Sequence, residues 1–254
     1  MSLLVCSLAC LVASCAATKK TGVYTEDARI AYEKAMEAFE NEDCITAEPL
    51  FRDIRANYPY TRYAALSELR EADCLAIQDK HVEAIEIYER FARVRASHES
   101  VPYARFKAAE SQYQQIPTEW FLSPPAYERD MRAARDALKD LRRYLLDFPY
   151  DENADKAAEM EKKTLALLAQ HELYVADFYL KREHPEAAIK RLTGMLQTYE
   201  GSGFEPQAML LMGRTQLMMK AVPQAHATFR ELIARYPQSG SAVQAERFLA
   251  ETGG

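Results

Sequence analysis

Ala47-Glu-Pro-Leu-Phe51-Arg-Asp-Ile54-Arg-Ala-Asn-Tyr58-Pro59 returns in outline near the end of the chain. There it reads Ala225-His-Ala-Thr-Phe229-Arg-Glu-Leu232-Ile-Ala-Arg-Tyr236-Pro237. In both stretches a small residue is followed by large apolar residues four and seven positions on. That spacing puts Ala, Phe and Ile or Leu on one face of a helix. The proline at the end predicts a stop, because the residue before a proline avoids the α region.

The same frame occurs three more times: Ala84, Tyr88, Phe91; Ala137, Leu141, Tyr144, with Phe148-Pro149; and Ala188, Leu192, Met195, Tyr199. Twelve residues upstream of four anchors stands another small residue: Ala35, Ala72, Ala176 and Gly213. Small residues there let two antiparallel helices approach closely. The pattern resembles the tetratricopeptide repeat, and Met212-Gly213, Ala225, Phe229, Pro237 is its best single match. The expected fold is all-α: a superhelical solenoid of five helical hairpins with a C-terminal capping helix over Ser239 to Glu251.

The anchor alanines are spaced 37, 53, 51 and 37 residues apart, so two insertions sit in the middle of the array. The first lies between Tyr113 and Ala137 and holds Ile116-Pro-Thr-Glu-Trp-Phe-Leu-Ser-Pro-Pro125. Prolines keep it out of a helix interior, which makes it a loop around 114–130. The second, within Asp151 to His184, has no Pro or Gly before its end and is rich in Ala, Glu, Lys and Leu. It predicts one helix lengthened by about four turns. Residues 26–150 then hold repeats one to three, and residues 151–254 hold repeats four and five with the cap.

At the start, an apolar run through Leu8-Ala-Cys-Leu-Val-Ala-Ser14 stops at Cys15, with small residues just before it. This is the layout of a bacterial lipoprotein signal, although Met1-Ser-Leu-Leu-Val carries no basic residue. The run is too short to span a bilayer. The reading is a signal peptide over 1–14, lipid on Cys15, and a lipidated linker over 15–25. Of the other cysteines, Cys44 and Cys74 either pair or pack as small buried residues.

A net charge of −6 offers no footprint for nucleic acid. Eight glycines leave little for phosphate loops. His171-Glu172 is followed four residues on by Val175, so a zinc-binding HExxH helix fails. No nucleophile elbow exists. Neither an enzyme nor a cofactor or metal site is expected. The first helices of the early repeats offer a peptide groove: Tyr32, Met36, Phe39, Leu69, Asp73, Tyr103, Phe106 and Tyr113. Aromatic and flexible apolar groups there suit an extended peptide with aromatic side chains. For each residue, packing against neighbouring helices is the other reading. Trp120-Phe121 either plugs the edge of the groove or docks on a partner.

The signal, the five repeats, the loop and the long helix together resemble the BamD family, lipoprotein subunits of the β-barrel assembly machine. Tyr58-Pro-Tyr-Thr-Arg-Tyr63, His98-Glu-Ser-Val-Pro-Tyr103, Glu128-Arg-Asp130, Tyr174-Val-Ala-Asp-Phe-Tyr179 and Ala188-Ile-Lys-Arg-Leu-Thr-Gly-Met-Leu196 carry the resemblance. It implies a lipid-anchored protein on the periplasmic face of the outer membrane. It also implies an N-terminal groove for the C-terminal strand of unfolded outer-membrane proteins, and a C-terminal half that binds the barrel-forming subunit BamA. Other lipoproteins of the complex are further partners it allows. The family's BamA-contacting arginine falls on Arg191. Glu200 departs from the family by replacing the proline that ends repeat four. Two other readings keep the repeats: a pilotin-like lipoprotein that assists a secretin, and a periplasmic cell-envelope scaffold.

Overall fold

The computed structural model describes residues 13–117 and 124–254, with side chains from residue 22 onward. Among the described residues there are eleven α-helices, one short 3₁₀ turn and no strand. In chain order they are α1 (Ala13–Glu40), α2 (Cys44–Asn57), α3 (Arg62–Ile77), α4 (His81–Val94), α5 (Val101–Gln114), α6 (Arg132–Asp147), α7 (Ala154–Lys181), α8 (Pro185–Thr198), α9 (Glu205–Met218), α10 (Val222–Arg235) and α11 (Gly240–Thr252). The signal residues 1–12 and the Trp120-Phe121 pair lie outside the described residues.

The anchors do what their spacing requires. Ala47, Phe51 and Ile54 are buried in α2, as are Ala84, Tyr88 and Phe91 in α4 and Ala137, Leu141 and Tyr144 in α6. Ala188, Leu192 and Met195 in α8 and Ala225, Phe229 and Leu232 in α10 complete the set. Side chains at i, i+4 and i+7 share one face, so each of these helices buries one stripe. The small crossing residues Ala35, Ala72 and Ala176 have no exposure at all.

All five second helices stop at the same place. The first residue past the end is always eleven after the anchor: Tyr58, Arg95, Phe148, Tyr199 and Tyr236. Each has φ between −117° and −135°, and each donates its N–H to the carbonyl four residues back. Proline follows in three of the five. Arg95 and Tyr199 stop their helices without one, so Glu200 in place of proline leaves the end of α8 unchanged. Glu200 instead lies 3.5 Å from Arg235 at the end of α10.

The turns inside four hairpins share a second device. Glu42, Asp79, Glu183 and Lys220, each five residues before an anchor, have φ near +60°. In the second hairpin Asp79 N–H reaches Ala76 C=O at 3.1 Å and Lys80 N–H reaches Leu75 C=O at 2.9 Å. This paired closure satisfies carbonyls at the helix end and needs a left-handed residue, a place usually held by glycine. Helix starts are capped by Asp43, Thr61 and Ser239, whose side chains accept from Thr46, Ala64 and Ala242 N–H.

The chain forms two compact units, one ending at Ser111 and one spanning Gln112–Gly254. In the second unit α6 packs along α7, and Arg142 in α6 reaches Glu161 in α7 at 2.9 Å. In the first unit, the core under α1 and α2 gathers Ala28, Phe51, Tyr63 and both Cys44 and Cys74. The two cysteines are buried free thiols, and burial together with contact with Cys44 pushes the Cys74 thiol well above its ordinary pKa. In the second unit one core joins Met131, Leu138, Leu168, Leu192 and Met195, and a terminal core joins Met209, Phe229, Leu232 and Ala245. The first inserted segment has no α-helix in its described part, only the 3₁₀ turn Ala126–Glu128. The second gives α7 its 28 residues, twice the 14 of α8. The cap is α11, whose Phe248 stacks on Phe229 at 5.5 Å.

Candidate functional site

In the first unit α1, α3 and α5 bring the expected groove residues together, but in two layers. Leu69 and Phe106 are buried and belong to the core rather than to a surface. Tyr32, Met36, Phe39 and Tyr103 are half-buried above them. Tyr32 packs on Phe51 and Tyr63 with ring centroids 5.9 and 5.5 Å away, and Phe39 meets Phe51 edge-on at 6.2 Å.

Asp73 is the polar hub beneath this layer. Its carboxylate is buried and accepts from Tyr88 Oη at 2.5 Å, from Tyr103 Oη at 2.8 Å and from the Arg70 guanidinium at 2.5 Å. A buried carboxylate needs such partners, since an unpaired one costs several kcal/mol. Burial first, and then the neighbouring Asp73 charge, pushes both the Tyr88 and Tyr103 hydroxyls far above their ordinary range. They are donors at any ordinary pH. Asp73 is therefore taken up by the fold and is not a free acceptor for a ligand.

Arg70 is the residue that periodicity missed. Its guanidinium lies 5.6 Å from the Phe39 ring centroid and 5.5 Å from that of Tyr103, between α1 and α5. Burial opposes its charge, but Asp73 and Tyr103 more than offset this and raise its pKa. The side chain keeps 30% of its exposure. The available signal was Arg70 three residues before Asp73, the i, i+3 spacing of a helical ion pair. The result is an amphipathic floor of two rings and a planar cation, able to take aromatic side chains by stacking. On the α1 side a hollow of about 530 Å³ opens beside Met36, bordered by Glu33, Glu37 and Glu40.

Tyr113 is not part of this floor. It belongs to the second unit, where it lines a separate hollow of about 610 Å³ with Ile116, Pro117, Lys163 and Leu167. Also in the second unit, α7 and α8 form a third hollow of about 560 Å³. Arg191 and Lys190 stand on one wall, and Glu172 and Tyr179 on the other. Arg191 is 45% exposed and reaches the Glu172 carboxylate only at 3.4 Å. Nearby, Tyr174 and Phe178 are partly exposed, with Arg182 4.4 Å over the Phe178 ring. The side chain of Cys15 lies outside the described ones. No described helix is long and apolar enough to cross a membrane.

The model of the YfiO family, described as an outer membrane lipoprotein, matches residues 25–221. The chain belongs to that family. A tetratricopeptide-repeat model also matches residues 207–239. Similar proteins are named outer membrane protein assembly factor BamD. The one from Xylella fastidiosa is 27% identical over 72% of this chain and 63% of its own length. That from Neisseria gonorrhoeae is 24% identical over 93% of this chain and 91% of its own. That from Caulobacter vibrioides is 25% identical over 97% and 79%. This chain thus spans less than two thirds of the Xylella relative. Among solved structures, the repeat protein YrrB, described as having an unusual peptide-binding site, aligns with a TM-score of 0.40. It is 15% identical, with 91% of this chain and 97% of that one covered. The YfiO match takes in the aromatic floor, Arg191 and most of the repeats, and begins after Cys15.

Proposed function

We propose that the protein is a non-enzymatic subunit of the outer-membrane β-barrel assembly machinery, held by lipid on Cys15 at the periplasmic face of the outer membrane. The first unit receives an aromatic-rich strand of an unfolded barrel protein. The second unit binds the folded barrel-forming partner, a BamA-like protein, through the hollow around Arg191. The observation that carries the first part is the Phe39–Arg70–Tyr103 floor, half-exposed and built on a rigid buried carboxylate. A strand that alternates aromatic and polar residues can lay every second side chain on such a floor. The names of the relatives supply the substrate class.

A labelled peptide with the alternating C-terminal sequence of an outer-membrane protein tests this directly. Binding is expected to weaken at least tenfold in Phe39→Ser and in Arg70→Ala, and to weaken similarly when the peptide's aromatic residues are replaced by serine. Equal affinity for both peptides, or unchanged affinity in both variants, refutes the groove assignment.

A further inference from the structure

Four residues after each anchor the repeat buries one large side chain: Phe51, Tyr88, Leu141, Leu192 and Phe229, none of them exposed at all. Packing asks only for apolar volume there, and four of the five supply just that. Tyr88 adds a hydroxyl, which is costly to bury unless it is hydrogen-bonded. Its partner is Asp73, at 2.5 Å. With no exposed surface, Tyr88 cannot touch a ligand.

Asp73 joins this buried hydroxyl to the floor of the groove. Tyr103 Oη donates to both of its oxygens, at 2.8 and 2.9 Å, and Arg70 Nη1 donates at 2.5 Å. The same Nη1 donates to Tyr103 Oη at 3.1 Å. Guanidinium N–H groups lie in the plane of the group, so a carboxylate takes its edge and leaves its faces to rings. The chain of contacts from Tyr88 to Asp73 to Arg70 thus runs from the core to the surface. Charge runs with it. The cation of the floor already carries a carboxylate, and Glu33, Glu37 and Glu40 border the hollow beside Met36. Glu40 is close enough to act, with Arg70 and Asp73, on the Tyr32 hydroxyl. A carboxylate arriving on a ligand meets a paired cation and several acids, whereas an uncharged ring meets only flat faces. Repulsion of the wrong side chain is as much a source of specificity as attraction of the right one.

We infer that Asp73 and Tyr88 set the specificity of the groove. Asp73 cancels the charge of Arg70, so the floor takes uncharged aromatic side chains and refuses carboxylates. Tyr88 is a positioning residue that fixes Asp73 from within the core. The inference rests on the peptide groove proposed above and names what the groove selects.

The test measures binding of three labelled ten-residue peptides to the full chain, all amidated at the C-terminus. One alternates aromatic and polar residues, one has its aromatic residues replaced by serine, and one has a single aromatic residue replaced by glutamate. The parent protein is expected to bind the glutamate peptide at least tenfold more weakly than the aromatic one. Asp73→Asn should bind the glutamate peptide at least tenfold better than the parent does, and 0.5 M salt should remove that gain, since an exposed ion pair is screened. Tyr88→Phe keeps the Asp73 charge, so it should still refuse the glutamate peptide while losing at least threefold in affinity for the aromatic one. Circular dichroism checks that each variant is folded, and Tyr88→Phe carries the test if Asp73→Asn is not. The inference is overturned if the parent binds the glutamate and aromatic peptides alike, if folded Asp73→Asn shows no gain, or if Tyr88→Phe binds the aromatic peptide as the parent does. In each of these cases the groove itself stands as long as the parent prefers the aromatic peptide to the serine one. If the parent binds those two alike, the groove and its specificity fall together.

Discussion

Replacing Gly213 with alanine is expected to destabilise the last hairpin, although alanine occupies the equivalent position in three other repeats. A Cβ built on Gly213 lies 2.3 Å from Phe229 Cε1 and 2.7 Å from two further ring atoms. The ring cannot slide away freely, because it also stacks on Phe248, 8° from parallel. Overpacking of this kind costs about 1–3 kcal/mol, and a contact this short on a pinned ring belongs near the upper end. Alanine returns about 1 kcal/mol of helix propensity. The net expectation is a loss of about 1–2 kcal/mol. Urea unfolding measures the total, and amide exchange measures where it falls. Protection should drop in α9, α10 and α11 and hold in α1 to α4, since repeat stability is local. Phe229→Leu in the same chain should make room, so the double variant should show a favourable coupling of about 1 kcal/mol or more. If Gly213→Ala is as stable as the parent, or the two substitutions simply add, the ring does not fix the approach of α9 and α10.

Three other outcomes follow from separate features. Lys220→Gly, at φ near +60°, should raise stability by about 0.5–1 kcal/mol in the same urea assay, because glycine adopts the left-handed region without the side-chain penalty. Arg191→Ala should leave the melting temperature of the isolated protein unchanged, since its long, exposed contact with Glu172 is of a kind worth about 0–1 kcal/mol. The same variant should weaken capture of a BamA-like partner at least tenfold in a pull-down titration, and unchanged capture removes Arg191 from the interface. Asp151 has its pKa lowered: burial opposes the shift, but hydrogen bonds from Tyr144 and Asn153 outweigh it. A depressed folded pKa gives stability that is present above about pH 4, the unfolded value, and is lost as acid titrates the folded carboxylate. Tyr144→Phe should therefore shrink the stability lost on acidification in that window, and an identical acid limb in both proteins would exclude the Tyr144–Asp151 bond.

Most of the array was legible because its signals are periodic. Ala, then i+4, then i+7 marks a buried stripe whatever its neighbours are, and a stretch free of Pro and Gly from Asp151 to His184 has little to be but helix. The stretch from Ser239 to Glu251 read as a last helix closing the array, and α11 spans Gly240–Thr252. What escaped depends on context rather than period. Glu42, Asp79, Glu183 and Lys220 take a conformation usually left to glycine, and only the hydrogen bonds that close each turn impose it. Arg95 and Tyr199 end their helices as the proline-marked repeats do, so proline reinforces a stop that hairpin geometry already sets. In the groove, spacing gave the face but not the depth. Tyr32 and Leu69 look equivalent on helical wheels, yet Leu69 is covered within its unit and Tyr32 is only half-covered. Arg70 was overlooked because a charged residue beside the apolar stripe carries no periodic signal; its importance comes from two rings on two other helices.

The doubled length of α7 has a consequence for how such a chain can change over time. Its first half meets α6, through Arg142 and Glu161, and its second half meets α8, through Arg191 and Glu172. The 14 residues by which it exceeds α8 turn a helix through almost four whole revolutions, falling short by about 40°. Both halves therefore present the same azimuth to their neighbours. An insertion or deletion of about seven, eleven or fourteen residues would leave that phase nearly intact. One of nine would rotate the far half by about half a turn and aim its apolar stripe at water. Length in α7 is thus a quantised trait, free to vary in some steps and barred in others, while the proline-rich segment before α6 imposes no such arithmetic.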